Sequence, residues 1–268
     1  MSDVLASRED VSLTPSEVRY ILGIRINVMP GSQVIEELDA RIRAGRTGRL
    51  AFVNANLANV TLGSETLRRG ISSFLVVNDG IGIDIASLMF YGRKFPDNLV
   101  GTDFIPRFLD ESRLNLRVAL IGGSEPVLAK TIEVMKRRWP RHEIVFAHHG
   151  YFAETEEGVI AEAMARSGAH IVLVAMGNPR QELWLLRNVP KACAIGAGVG
   201  ALFDYLAEAV PRAPDFMLRW RLEWVYRLWA EPARLWRRYL VGNFVFMTRV
   251  LREWYERKLL RRAVNKLK

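Results

Sequence analysis

Short apolar runs alternate with segments of helical periodicity along most of this chain. The runs are long enough for strands, and the segments after them repeat apolar residues every three or four positions. Strands that are apolar throughout belong to a sheet covered on both faces. The pattern predicts an α/β fold: a Rossmann-like, mostly parallel sheet with helices on both faces. The predicted strands are 20–28, 50–53, 74–77, 117–121, 143–147, 171–174 and 192–195, and the predicted helices are 34–42, 56–70, 83–91, 125–138, 155–166, 180–188 and 200–208.

All of the surplus positive charge lies in the last fifth of the chain. The formal net charge is +9, and residues 211–268 carry 15 Lys and Arg against 5 Asp and Glu. The same segment holds five of the seven tryptophans, and the prolines at 211–214 cannot continue a preceding helix. We therefore predict three parts: a polar segment 1–16, a Rossmann-like domain 17–210 and a basic, Trp-rich helical appendage 211–268.

The appendage has the composition of a helix at a membrane interface, with basic residues between Trp and aliphatic ones. No run approaches the roughly 18 uncharged apolar residues of a membrane span, and the polar N-terminus is not a secretory signal. The single cysteine fits a reducing compartment. We expect a peripheral protein of the cytoplasmic membrane face, although a helix packed on a partner subunit would show the same apolar stripe. The stripe residues are Leu218, Leu222, Val225, Leu228, Trp229, Phe244, Met247, Leu251 and Tyr255.

Polar residues that directly follow the strands are the first candidates for a site, because parallel sheets bind ligands beyond the carboxyl ends of their strands. Asp79 follows the strand 74–77 and is a carboxylate whose pKa a cleft could raise, as a general base requires. Asn-Asp-Gly is also an ordinary turn sequence. Asn54 and Asn56 could hydrogen-bond a sugar or cap the next helix.

Two further strand ends carry candidate residues. Gly122 and Gly123 could bring backbone N–H groups to a phosphate, or could simply form a tight turn. Asn178 is the expected N-cap of the helix that follows it. Gln181 and Glu182 then project from the first turn of that helix, at the ligand-binding edge of the sheet.

Other common site types are excluded by spacing. The glycines of 196–200 do not match a dinucleotide fingerprint, and no serine-hydrolase elbow or Walker loop is present. His148 and His149 lack further ligands at zinc spacing, so we predict no metal site. Cys193 lies in a predicted apolar strand and is interpreted as a packing residue.

Nine blocks of the chain, in this order, resemble the WecG/TagA/CpsF family of glycosyltransferases over roughly residues 20–250. The resemblance implies inverting transfer from a UDP-sugar to an undecaprenyl-diphosphate-linked sugar at the inner membrane face, in the synthesis of wall polymer, capsule or exopolysaccharide. Departures at 54–58 and 97–99 leave the donated sugar open. The blocks are VNANLANV, VVNDGIGIDIA, NLVGTDF, ALIGG, HHGYF, VLVAMGNPRQELW, IGAGVGALFDYLA, RAP and RLEWVYRLWAEPARLWRRYL.

The resemblance also implies roles for individual residues. Asp79 is implied as the general base on the acceptor hydroxyl, and Gln181 as a side chain beside the donor. Arg227, Arg234 and Arg237 are implied as tail arginines that reach over the site. The predicted substrate-binding residues are Asn54, Asn56, Gly80, Asp103, Gly122, Gly123, Tyr151, Gly177, Asn178 and Asp204, with Tyr151 and Asp204 near the nucleotide.

The three tail arginines are spaced seven and three apart, so they share a face of a continuous helix. Pro232 could instead divide the run into two short helices. Guanidinium groups bind diphosphates in a bidentate way, so we expect a metal-independent enzyme without a cofactor and with a UDP-sugar as donor. A solvated helix face is the alternative interpretation of these arginines.

Two other functions remain open at the level of sequence. One is a non-catalytic UDP-sugar-binding scaffold of a polysaccharide assembly complex. The other is a basic nucleic-acid-binding protein, although no recognised motif of that kind is present, and we expect no nucleic-acid partner. The expected partners are the UDP-sugar, the polyprenyl-diphosphate-linked acceptor and an anionic membrane surface, and a homo-oligomer stays open.

Overall fold

A computed structural model describes residues 17–189, 194–214, 216–217 and 223–266, with the side chains of 261–266 left out. The predicted polar segment 1–16, Cys193 and the stripe residues Leu218 and Leu222 lie outside the described residues.

The described residues form the following elements. The strands are β1 Val18–Ile21, β2 Ile24–Asn27, β3 Gly48–Val53, β4 Leu75–Asn78, β5 Arg117–Gly122, β6 Glu143–His148, β7 Ile171–Ala175 and β8 Ile195–Gly198. The helices are α1 Gly31–Arg43, α2 Ala55–Gly63, α3 Glu65–Gly70, α4 Ile81–Tyr91, α5 Gly101–Glu111, α6 Glu125–Arg138, α7 Glu157–Arg166, α8 Arg180–Asn188, α9 Leu202–Leu206, α10 Glu223–Ala230, α11 Pro232–Trp236 and α12 Gly242–Lys266. Residues 237–241 form a π-helical turn between α11 and α12.

Six of the strands form one sheet in the order β4-β3-β8-β7-β5-β6, and every neighbouring pair is parallel. Alternate residues of β3 enter two separate hydrophobic clusters, because successive side chains point to opposite faces of a sheet. Leu50 and Phe52 pack with α1, α5, α6 and α9, whereas Ala51 and Val53 pack with α2, α4, α8 and α12. The predicted α/β sheet with helices on both faces is confirmed.

The predicted strand 20–28 is wrong in one respect. The segment is an antiparallel hairpin of β1 and β2 outside the main sheet. Leu22 and Gly23 both have positive φ angles and form the turn, which a pattern of apolar residues does not reveal.

Three other elements also differ from the sequence prediction. The helix 56–70 is two helices, because Ser64 ends α2 and caps α3 with its hydroxyl, which accepts a hydrogen bond from the Leu67 N–H. Helix α5 was not predicted and contains Pro106, a residue usually typical of helix ends. Strand β8 lies later than predicted, and its glycines allow close packing: a Cβ on Gly196 would lie 2.5 Å from the side chains of Leu185 and Val189.

Pro232 begins α11 and so separates it from α10, which is the two-helix alternative of the sequence prediction. The long helix α12 then packs on α2 and α4. Asn59 donates to the Gly242 carbonyl at 2.7 Å, and Phe246 and Val250 are buried in the main core. The Arg257 guanidinium lies 4.3 Å from the Phe90 ring centre. Within the described part of the chain, no helix has both the length and the apolar character needed to cross a bilayer.

Candidate active site

A cavity of about 540 Å³ opens at the carboxyl ends of β3, β4 and β8, beside the loop that follows β7. Its outer wall consists of α10, the π-helical turn and the start of α12. Eight of the sequence-predicted site residues line it: Asn54, Asn56, Asp79, Gly80, Asp103, Asn178, Gln181 and Arg227.

Asp79 is the first residue after β4, and both its backbone and its side chain are held. Its N–H donates to the Val53 carbonyl at 2.8 Å, and its Oδ2 accepts from Asn54 Nδ2 at 3.0 Å. Burial raises the pKa of Asp79 to about 6, and the Glu223 carboxylate adds to the rise; the Asn54 bond and Arg238 oppose it. A carboxylate with such a pKa can accept a proton near neutral pH.

Asn54 has the capping role that its position suggested, and it also contacts Asp79. Its Oδ1 accepts from the Leu57 N–H at 3.0 Å and so caps α2. Its Nδ2 donates to Asp79 Oδ2. The amide therefore connects the start of α2 to the carboxylate and sets the orientation of Asp79.

Gln181 holds two loops together. Its Oε1 accepts from the N–H groups of Gly177 and Gly200, at 3.1 and 3.2 Å, and its Nε2 donates to Glu182 Oε1 at 2.7 Å. These bonds occupy the amide and join the loop after β7 to the loop after β8.

Glu182, which the sequence placed at the ligand-binding edge of the sheet, extends this network. Its Oε1 also accepts from Asn178 Nδ2 at 2.7 Å, and Asn178 Oδ1 accepts from Asn56 Nδ2 at 3.2 Å. Glu182 is buried, and its Oε2 has no hydrogen-bond partner within the described residues. Burial raises the pKa of Glu182 to about 7 against the lowering effect of these amides. The N-cap role predicted for Asn178 is wrong, because α8 begins at Arg180 after Pro179 and has no side-chain cap.

Two arginines of the outer wall line the cavity, and each has one buried N–H group without a partner among the described residues. They are Arg227 of α10 and Arg238 of the π-helical turn, and the buried group is the Nε–H of each. Burial lowers the pKa of Arg238. Buried donors without partners leave a large desolvation penalty, which an anionic ligand would relieve. Arg238 was not selected from the sequence, although its spacing of eleven residues from Arg227 is that of one helix face.

Arg234 and Arg237 do not line the cavity. Arg234 is exposed and pairs with Glu231 at 2.7 Å, and Arg237 is exposed with its guanidinium 5.3 Å from the Trp236 ring centre. Arg238 lines the cavity in place of Arg237. Even on a continuous α-helix, Arg238 would stand only about 20° from Arg227, and Arg237 about 80° from it.

Five other predicted residues also lie outside the cavity lining. The Gly123 N–H donates to the Ala175 carbonyl, and a Cβ on Gly122 would lie 2.3 Å from that oxygen, so this pair forms a tight, closely packed turn. The Gly177 N–H donates a hydrogen bond to Gln181 Oε1. Tyr151 follows β6 at the far edge of the sheet and is exposed. Asp204 lies on α9, where burial raises its pKa.

Asp103 does line the cavity and is paired with Arg212, in the proline-rich run before α10. Among the described residues, no three His, Cys, Asp or Glu side chains are grouped as ligands for a metal ion.

Comparisons with known proteins agree on one family. The model of the glycosyl transferase WecG/TagA/CpsF family matches residues 19–260. The N-acetylglucosaminyldiphosphoundecaprenol N-acetyl-beta-D-mannosaminyltransferase of Bacillus spizizenii is 36% identical to this chain over 173 residues, which are 63% of this chain and 65% of the relative. The matched part thus spans slightly less than two thirds of that relative.

Proposed function

This chain belongs to the WecG/TagA/CpsF glycosyltransferase family, and on that premise we propose that it is an inverting glycosyltransferase of surface polysaccharide synthesis. Its donor is a UDP-sugar, with a hexose or N-acetylhexosamine transferred, and its acceptor is a sugar on undecaprenyl diphosphate. The observation that carries the proposal is Asp79, a carboxylate of raised pKa in the same cavity as Arg227 and Arg238, whose Nε atoms have no hydrogen-bond partner among the described residues.

Asp79 acts as the general base. Its carboxylate takes the proton from the acceptor hydroxyl while that oxygen attacks the anomeric carbon of the donor. The bond from the anomeric carbon to the UDP oxygen breaks, and UDP leaves with the electron pair. Attack from the side opposite to UDP inverts the configuration, and the proton remains on Asp79.

Arg227 and Arg238 stabilise the departing diphosphate. Negative charge develops on its oxygens as the bond breaks, and preorganised donors are most effective at that point. Both side chains already line the cavity, so their positive charge is in place when the diphosphate binds. We propose that this replaces a metal ion. Activity should then persist in EDTA, and a loss that added Mg²⁺ restores would contradict the arginine role.

An acceptor with a polyprenyl tail requires the enzyme to work at a membrane. We propose that α10 and α12 dock peripherally on the anionic cytoplasmic face. Trp229, Phe244 and Tyr255 are exposed along these helices, and neighbouring basic residues would each add roughly 1 kcal/mol near an anionic surface.

The relative's name describes a mannosaminyltransferase that uses an N-acetylglucosaminyl diphosphate lipid, and we propose the same class of acceptor for this chain. A UDP-release screen tests this with UDP-glucose, UDP-glucuronic acid, UDP-N-acetylglucosamine and UDP-N-acetylmannosamine, each with an N-acetylglucosaminyl diphosphate lipid. We expect release with one donor, abolished in Asp79→Asn and unchanged in Glu162→Gln, which alters an exposed carboxylate on α7. UDP binding without turnover would instead indicate a scaffold.

A further inference from the structure

Helix α4 exposes an apolar face that its core packing does not explain. Ile81, Ile85 and Leu88, at spacings of four and three, are 37%, 37% and 48% exposed. The opposite face of α4 is buried, with Ile83 and Phe90 in the core. Surface helices normally carry polar residues on the side away from the core. An apolar face on both sides indicates a ligand or a partner.

This face is continuous with the cavity. Ile81 and Ile85 line the cavity on the α4 side, and Met247 lines it on the α12 side. Leu251 follows Met247 by one helical turn on the same face and is 50% exposed.

The two helices run side by side away from the cavity. A Cβ on Gly82 would lie 3.5 Å from Phe246, and the Arg257 guanidinium lies over Phe90, one pair at each end. We define the apolar strip as Ile81, Ile85, Leu88, Met247 and Leu251. From residue 81 to residue 88, at 1.5 Å per residue, it extends about 10 Å from the cavity.

The strip and the cavity together match the chemistry of one kind of ligand. The cavity holds Asp79, the base proposed for an acceptor hydroxyl, and the strip that continues from it suits hydrocarbon. A molecule that satisfies both carries a sugar hydroxyl at one end and an apolar chain at the other. The relative's name includes an N-acetylglucosaminyldiphosphoundecaprenol, which is a sugar on such a chain.

We propose that the apolar strip binds the head-proximal part of the acceptor's polyprenyl chain. This inference rests on the proposed function and adds a lipid subsite to it. The strip holds the chain along α4 and α12, so the acceptor sugar is delivered to Asp79 from the membrane side of the cavity.

Binding of two diphosphates with the same head tests the strip. Farnesyl diphosphate and isopentenyl diphosphate differ only in the length of the hydrocarbon chain, and their dissociation constants can be measured by titration of the full chain. We expect the wild type to bind farnesyl diphosphate at least tenfold more tightly. A double variant, Leu88→Ser with Leu251→Ser, should reduce that ratio to about two to three, with the isopentenyl affinity unchanged. Neither residue lines the cavity, and both are half exposed, so the fold should be retained.

Val159→Ser is the matched control, since Val159 is a 68% exposed apolar residue on α7. It should leave the ratio as in the wild type. A ratio in the double variant equal to that of the wild type would overturn the proposal.

Two other occupants of the strip would give different results. If the double variant lost binding to ligand-free phosphatidylglycerol vesicles and kept the ratio, the strip would be a bilayer contact. If it lost self-association in sedimentation velocity and kept the ratio, the strip would be a subunit interface. Either result would overturn the proposal. The binding titration does not depend on turnover. If no donor released UDP in the screen and the wild type still bound farnesyl diphosphate more tightly than isopentenyl diphosphate, only the proposed function would be refuted.

Discussion

The pKa of Asp79 is raised because β4 ends at the cavity wall and leaves this carboxylate buried there. One amide that follows the neighbouring strand β3 is the direct hydrogen-bond partner of Asp79. A general base must be ionised to accept a proton. The rate of sugar transfer should therefore have its full value above the pKa of Asp79, about 6, and fall as the pH drops through that pKa.

Asn54→Ala should move this acid limb to higher pH. The bond from Asn54 lowers the pKa of Asp79, so its loss raises that pKa further. The variant also loses the cap of α2, at about 1 kcal/mol of stability. The pH profile of kcat/KM and urea unfolding measure the two effects.

Ser64→Ala is the control for Asn54→Ala. It removes the cap of α3 at a similar cost in stability and does not touch Asp79. Its acid limb should coincide with that of the wild type. An unshifted limb in Asn54→Ala would mean that the amide does not control the acidity of Asp79.

Glu182→Ala should destabilise the protein by about 2 kcal/mol, because it leaves the buried amide of Gln181 and the partly buried amide of Asn178 without their shared acceptor. Glu182→Gln retains an oxygen at this position and should lose less than half as much. Urea unfolding at pH 7 compares the two. Equal losses would show that packing volume, and not the hydrogen bonds, explains the effect.

At the scale of elements, the π-helical turn after α11 has Arg238 on the cavity wall and Arg237 at the surface. A straight α-helix favours the same choice, because at 3.6 residues per turn Arg238 stands about 20° from Arg227 and Arg237 about 80° from it.

Arg238→Ala should lower kcat/KM by about 100-fold, the scale of losing one preorganised donor in an active site. Arg237→Ala, the matched neighbour, should change kcat/KM less than threefold, because Arg237 lies outside the cavity. UDP-release kinetics under one set of conditions compare the two variants. The reverse ranking would restore the sequence prediction for Arg237.

The element boundaries show how far sequence patterns extend. Strands β3, β4, β5 and β7 were predicted within two residues, since each is a continuous apolar run. The hairpin of β1 and β2, helix α5 and the start of β8 were not, because they depend on a positive-φ turn, a tolerated proline and glycines under Leu185. Each of these is allowed by packing from distant parts of the chain.

At the scale of the whole molecule, α12 connects the sheet domain to the proposed membrane surface. Asn59, Arg249 and Arg257 bind it to the body, so its exposed apolar residues are held at one side of the cavity. Docking through them would place the cavity mouth near the lipid, where the acceptor resides.

Trp229→Ser with Phe244→Ser should reduce co-sedimentation with phosphatidylglycerol vesicles at least fivefold, because two exposed apolar side chains are lost from the docking helices. Tyr151→Ser, which removes an equally exposed aromatic residue beside β6, should sediment as the wild type does. Equal sedimentation of all three proteins would contradict docking by α10 and α12.

The sequence by itself determined the class of fold, the strand ends at which a site could form, the family, and Asp79 as the carboxylate of interest. These follow from short-range periodicity and from motifs that are read within one segment. Tertiary structure alone decided that α10 and the π-helical turn close one wall of the cavity, that Gln181 joins two loops and is held by Glu182, and that the outer faces of α4 and α12 form one strip. Such features depend on contacts between distant segments, which no local pattern encodes.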